Sequence, residues 1–242
     1  MKTWMRRDLT IMLGEGDDCF IVACDSCGAV GEKENDALKL PARLVARLTA
    51  RVALSEVMCS GAVPVMITNG VACEMKPTGE QFILGIEDEL KNAGLTNVVL
   101  SGSTEENFKT SMSALAITVI GACKVGELKF GQAQKGDRLV LLGEPKVGDE
   151  VDLQSVGFYN EIRKLLGLQD VKEIVPVGSK GIAYEARTLA ELNEMVVEFR
   201  ETGICYKKSA GPATCFIVLC KESVVEQVLG IYPKGIIIGE ML

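Results

Sequence analysis

The chain contains no histidine. That absence removes Ser–His and Cys–His nucleophile pairs, histidine bases and histidine metal ligands in one step. Positive charge is also short: 26 Lys and Arg against 33 Asp and Glu leave a net charge of −7, with no basic tail or block. General nucleic-acid binding needs a positive footprint, so that class is excluded. No apolar run reaches the roughly 18 residues of a membrane span. Residues 1–8 are not followed by the apolar core of a signal peptide, and the expected location is the cytoplasm. Cys24 and Cys27 form a CxxC pair, but no second pair follows, so a four-ligand zinc site is unsupported. A thiol-redox role for that pair stays open as a minor reading. Cys19, Cys59, Cys73, Cys123, Cys215 and Cys220 stand in apolar surroundings and read as small hydrophobes.

What is present is an ordinary globular composition, 48% hydrophobic and 24% charged over 242 residues. That length allows one large domain or two medium ones. The most informative stretch is Gly14-Glu15-Gly16-Asp17-Asp18 followed by Cys24-Asp25-Ser26-Cys27-Gly28-Ala29-Val30-Gly31-Glu32-Lys33. The apolar run 19–23 between them reads as a strand, with acids at both ends. Three aspartates in nine residues are costly to bury unless a cation or hydrogen-bond donors neutralise them. Hard oxygen ligands suit Mg2+, which usually also holds substrate phosphates. The glycines after Asp25 let backbone approach a ligand closely.

Further along, the 3.6-residue apolar period predicts helices over 36–57 and 78–93. Strand patterns cover 63–73, 97–100 and 113–125, and 101–107 reads as a polar turn. The Gly-containing bridge 124–137 marks a domain boundary. Beyond it, strands are expected at 138–142, 171–177, 215–220 and 235–240. Helices are expected at 155–166, 182–200 and 224–229. Gly178-Ser179-Lys180-Gly181 opens one of these helices, as an N-cap or an anion-binding turn, without the spacing of a Walker loop.

Five blocks in order, GEGDD (14–18), CDSCGAVGEK (24–33), ALSEVMCSGAVPV (53–65), LSGSTEEN (100–107) and AITVIGAC (116–123), resemble the AIR-synthase-like ATP-binding superfamily. The blocks VGSKGI, SAGPATCFIVL and GIIIGEM echo its second domain more weakly. The resemblance implies an α/β (α+β) fold of two domains. Residues 1–125 would be a mixed α/β domain that binds ATP and Mg2+ and pairs with a second copy into a dimeric barrel. Residues 135–242 would be a shortened second domain. It implies metal ligation by Asp17 or Asp18, by Asp25, and by Glu56, where relatives carry an aspartate. Nucleotide contacts would come from Gly16, Asp17, Asp18, Gly28, Gly31, Lys33, Gly102, Ser103 and Thr104. Lys33 or Lys180 would offset charge on the γ-phosphoryl group, and Glu105 would accept a proton from the acceptor hydroxyl. Glu105 or Glu106 would stand in for the acid missing at Ser103. Second-domain loops stripped of acids and aromatics resemble most the short α-ribazole kinases of cobalamin salvage. An AIR-synthase-type ligase and a non-catalytic nucleotide-binding regulator are the alternatives.

Overall fold

The computed structural model describes residues 2–131 and 133–242; position 132, within the expected bridge, lies outside the described residues. The chain divides into two compact units. The first holds the chain up to Val57 together with Ala62–Gly126, and the second holds Met58–Gly61 and Glu127–Leu242.

The first unit contains β1 (Thr3–Arg6), β2 (Leu9–Leu13), β3 (Asp18–Gly28), the short parallel pair β4 (Val30–Gly31) and β5 (Leu38–Lys39), and α1 (Ala42–Cys59). It continues with β6 (Val63–Val71), α2 (Glu80–Asn92), β7 (Val99–Thr104) and β8 (Ala114–Lys124). Six strands form one sheet in the order β1-β2-β3-β8-β6-β7, antiparallel except for the β6–β7 pair. Period-two alternation sorts its faces: Leu115, Ile117 and Val119 of β8 are buried while Ala114, Ala116 and Thr118 are half-buried. Gly121 of β8 lies against Val57 of α1, and so a helical layer covers one face. On the opposite face the register aligns Val22, Ile120, Met66 and Val99 across four strands. Met66 and Val99 stay exposed there.

The two helices of this layer meet closely at Gly85 of α2. A side-chain carbon there would lie on the Arg43 carbonyl oxygen and 3.0 Å from the Ala46 Cβ of α1. Overpacking a close contact costs roughly 1–3 kcal/mol. Gly85→Ala is therefore expected to lower the unfolding free energy by that much, seen as a lower urea midpoint, despite the better helix propensity of alanine; an unchanged midpoint would mean that the helices part freely.

The second unit contains β9 (Arg138–Gly143), α3 (Tyr159–Leu166), β10 (Val171–Pro176), α4 (Ile182–Glu191), β11 (Val197–Phe199), β12 (Cys215–Cys220), α5 (Val225–Ile231) and β13 (Ile236–Met241). Its five strands are all antiparallel, in the order β10-β12-β9-β13-β11. The core is built on Leu139, Leu141, Ile217, Leu219 and Ile238, with Ile182, Ala186 and Leu189 of α4 against them. Met58–Gly61, the last residues of α1 and the turn after them, belong to this unit: Lys129 N–H donates to the Ser60 carbonyl at 2.9 Å. Gly61, at φ +92°, lies against the Glu127 carbonyl, where any side chain would collide.

Several expected elements differ from those observed. The first helix begins at Ala42 rather than 36, because Pro41 accepts its opening N–H bonds from Leu44 and Val45 while Asp36 bonds elsewhere. Residues 101–104 form strand rather than turn, paired with 68–71 of β6. The helix expected over 182–200 stops at Glu191: Glu194 is left-handed at φ +56°, and 197–199 join the sheet beside β13. Ser179 makes no cap for α4, and Lys180 lies over the Tyr184 ring at 4.2 Å. The chain also opens with three consecutive antiparallel strands, joined first by the left-handed Arg7 at φ +52°.

Candidate active site

The strand expected over 19–23 runs to Gly28, paired throughout with β8. Asp25 is therefore a strand residue, not part of a turn. Cys19, Ile21 and Ala23 face the core, and the alternation carries Asp25 and Cys27 onto the same face. Burial pushes the Asp25 carboxyl up to about 6, opposed by a hydrogen bond from the Ser26 backbone N–H. Across the sheet from Asp25 come Ile117, then Asn69, then Gly102. Asn69 is buried, donates to the Ser101 carbonyl at 3.0 Å, and lies over Gly102, where a side chain would strike it. Sequence reasoning passed over Asn69; its signal is one amide in a mostly apolar strand.

The segment after β3 is fixed by Asp36. Its carboxylate accepts from Lys33 N–H at 2.8 Å, Ser113 N–H at 2.7 Å and the Ser113 hydroxyl at 2.8 Å. Burial pushes this carboxyl up, but the bonds from Ser113 and Lys33 outweigh it and hold it below the usual carboxylate range. Gly31 lies directly against both Asp36 and Ser113. Lys33 donates to Glu74 at 2.5 Å and to the Thr110 carbonyl at 3.2 Å, and the Thr78 hydroxyl donates to Glu74 at 2.6 Å. Burial acts against the Glu74 charge, yet Lys33 and Thr78 hold its carboxyl low. Lys33, Glu74 and Thr78 line a cavity of about 520 Å3 that also reaches Glu32 and Ala42. Glu32 accepts the Ala42 N–H at 3.0 Å and so occupies the start of α1. Glu74 and Asp36, like Asn69, were not among the expected site residues.

The four expected carboxylate ligands do not gather around one ion within a single chain. Asp17 and Asp18 both accept from Lys124, at 2.8 and 2.7 Å, in an exposed cluster beyond the left-handed Gly16 (φ +65°). The hydrogen bond from Lys124 lowers the Asp17 carboxyl. Asp18 stands seven residues before Asp25 on one strand, about 23 Å away at strand rise and on the opposite face. Glu56 on α1 meets Arg7 at 3.5 Å. No three Asp, Glu or Cys side chains converge as a metal shell among the described residues. Of the four, Asp25 would offer a single hard carboxylate oxygen to a Mg2+ ion, which would then need most of its ligands from elsewhere.

Elsewhere, Glu105 accepts from Asn107 N–H at 2.7 Å and Phe108 N–H at 3.2 Å, closing the turn after β7. Glu106 accepts from the Thr104 hydroxyl at 2.7 Å and Met75 N–H at 2.8 Å. Gly102 and Ser103 are exposed on β7, and Gly28 is exposed at the end of β3. Cys24 and Cys27 point to opposite faces of β3, where they cannot pair with each other. Burial, with Asp25 and Asp36 nearby, pushes the Cys27 thiol up and away from thiolate chemistry.

Residues 10–123 match the family described as AIR synthase related protein, N-terminal domain. No curated protein matches the chain. Solved structures share its fold: PurL of T. maritima complexed with AMPPCP matches at TM-score 0.69 and 15% identity, over 94% of this chain and 41% of PurL. PurL complexed with ADP matches at TM-score 0.70 and 15% identity, over 97% of this chain and 42% of PurL. E. coli HypE, a hydrogenase maturation protein, matches at TM-score 0.66 and 16% identity, over 91% of this chain and 79% of HypE. The fold is AIR-synthase-like, and the chain spans about two fifths of the PurL chains that it matches. No helix among the described residues is long and apolar enough to cross a membrane.

Proposed function

We propose that this protein binds ATP with Mg2+ and transfers the terminal phosphoryl group to an oxygen atom of a small molecule. The observation that carries the reading is Asp25, a carboxyl pushed up to about 6 beside the Gly28–Lys33 segment. A divalent cation on the nucleotide would supply the positive charge that this carboxylate needs. The fold shared with PurL, which was solved with AMPPCP and with ADP, supports the nucleotide as ligand by analogy. Phosphoryl transfer asks a protein mainly for positioning and charge neutralisation. In this reading the backbone of 28–31 cradles phosphate. Lys33 exchanges Glu74 for a phosphate oxygen, and the Glu105 turn faces the acceptor. The apolar row Val22, Ile120, Met66 and Val99 supports a homodimer in which a second copy covers that face and brings Asp17, Asp18 and Lys124 to the shared site.

The acceptor divides the reading. A nucleoside hydroxyl such as that of α-ribazole makes the protein a kinase; an amide or formyl oxygen makes it a ring-closing ligase. Mass spectrometry after incubation with Mg-ATP and α-ribazole, thiamine monophosphate or formylglycinamidine ribonucleotide distinguishes them. The expected result is one phosphoryl group gained by α-ribazole with an equal amount of ADP. A cyclised ribonucleotide with ADP and phosphate selects the ligase, and ATP binding without any converted acceptor selects a regulator.

A further inference from the structure

The second unit holds a cavity of about 510 Å3 whose lining has two chemically distinct parts. One part is aromatic and aliphatic: Tyr232 with Ile204 and Ile236. The Tyr232 ring is not free to swing, because Phe158 packs on it at 5.6 Å and Phe216 packs on Phe158 at 5.1 Å. The other part is cationic. Lys146, Lys208 and Lys234 all line the cavity, in a chain whose net charge is −7. Two carboxylates face these lysines, and each already has a partner: Glu144 with Lys146 at 3.3 Å and Glu150 with Lys208 at 2.8 Å. Lys234 has no carboxylate partner among the described residues.

The loop that carries Lys146 is held in place from both sides. Lys146 N–H donates to the Thr214 hydroxyl at 3.2 Å, and the Lys146 carbonyl accepts from Gly211 N–H at 3.0 Å. A volume of this size suits one small molecule, and a few fixed polar groups on an apolar wall set its orientation. A planar ring suits the Tyr232 wall. Ammonium groups bind phosphate as point charges.

We propose that this cavity binds a ring-bearing phosphate monoester, with the ring against Tyr232 and the phosphate between Lys234 and Lys146. The second unit is thus a ligand-binding unit in its own right. The inference stands on the second unit alone and does not require nucleotide at Asp25. Either product of a nucleoside kinase or substrate of a ribonucleotide ligase would fit this chemistry.

Cys205 also lines the cavity and is an exposed free thiol, so its reactivity reports occupancy. The test is the rate of Cys205 alkylation by iodoacetamide, followed by peptide mass spectrometry on the full chain. Phenyl phosphate at millimolar concentration is expected to slow Cys205 at least threefold and to leave the exposed Cys24, in the first unit, unchanged. Phenol should not protect, and the protection should be lost in the exposed-site variant Lys234→Ala. Equal rates with and without phenyl phosphate would overturn the proposal, as would equal protection by phenol. Protection that persists in Lys234→Ala and in Lys146→Ala would also overturn it. ATP binding measured calorimetrically on the same sample is a separate readout, so failure here is distinct from failure of the nucleotide reading.

Discussion

Asp25→Asn is expected to make the ligand-free protein more stable and its response to Mg-ATP much smaller. The first effect follows from the carboxyl lying at about 6 in the fold against 3.8 for an unperturbed aspartate. The folded state therefore holds its proton more tightly than the unfolded chain does. Below pH 4 both states are protonated and the group costs nothing. As pH rises from about 4 to about 6 the unfolded chain releases the proton first, and stability falls; above about 6 the loss is complete. At neutral pH this amounts to roughly 2–3 kcal/mol, the lower figure allowing for partial exposure of the side chain. Asparagine keeps the shape and has no charge to desolvate. The difference in melting temperature between wild type and variant, scanned from pH 4 to 8, isolates this group from every other carboxyl. The second effect concerns the ligand. The Mg-ATP affinity of the variant should fall at least tenfold, since a neutral amide is a poor ligand to a hard cation. An equal thermal shift by Mg-ATP in both proteins would remove Asp25 from the site; a flat pH difference would remove the desolvated carboxylate.

A larger loss of stability is expected from Glu89→Ala. Glu89 is fully buried on α2 and receives the Arg51 guanidinium of α1 in two bonds, at 2.7 and 3.3 Å, with Asn92 at 3.1 Å. Arg51 itself is 2% exposed. Removing the carboxylate leaves a buried guanidinium facing a void, at a cost of roughly 3–5 kcal/mol. That is a large part of the 5–15 kcal/mol margin typical of a domain, so the variant should unfold at a much lower urea concentration. Glu89→Gln, which keeps one acceptor oxygen, should lose less. A change under about 1 kcal/mol for the alanine variant would mean that Arg51 finds water or another acceptor.

Both residues show where sequence reading reaches and where it stops. The helical period of 42–59 and 80–92 is local, and so was visible from spacing alone. Asp25-Ser26-Cys27-Gly28 looks like a turn because Asp, Ser and Gly favour turns; eleven consecutive pairings with β8 override that preference. Val197-Glu198-Phe199 looks like a continuing helix, and only its partner β13 makes it a strand. The loop from Gly28 to Lys33 stood out in the sequence because its glycines and its lysine are contiguous. Its anchors were not: Glu74 lies 41 residues from Lys33, and Ser113 lies 77 from Asp36. Asp17, Asp18 and Asp25 crowd together in sequence, yet strand rise separates the last of them from the others. Closeness along a strand is distance in space.

The segment Met58–Gly61 has a consequence for heredity as well as for folding. A gene cut after residue 126 would yield a second fragment that lacks Ser60, and Lys129 would lose its acceptor there. The two units therefore do not separate as consecutive exons might. A recombination event that swaps the first half must bring a free backbone carbonyl at position 60 and a glycine at position 61, where a side chain would strike the Glu127 carbonyl. Four residues make the halves inherit each other.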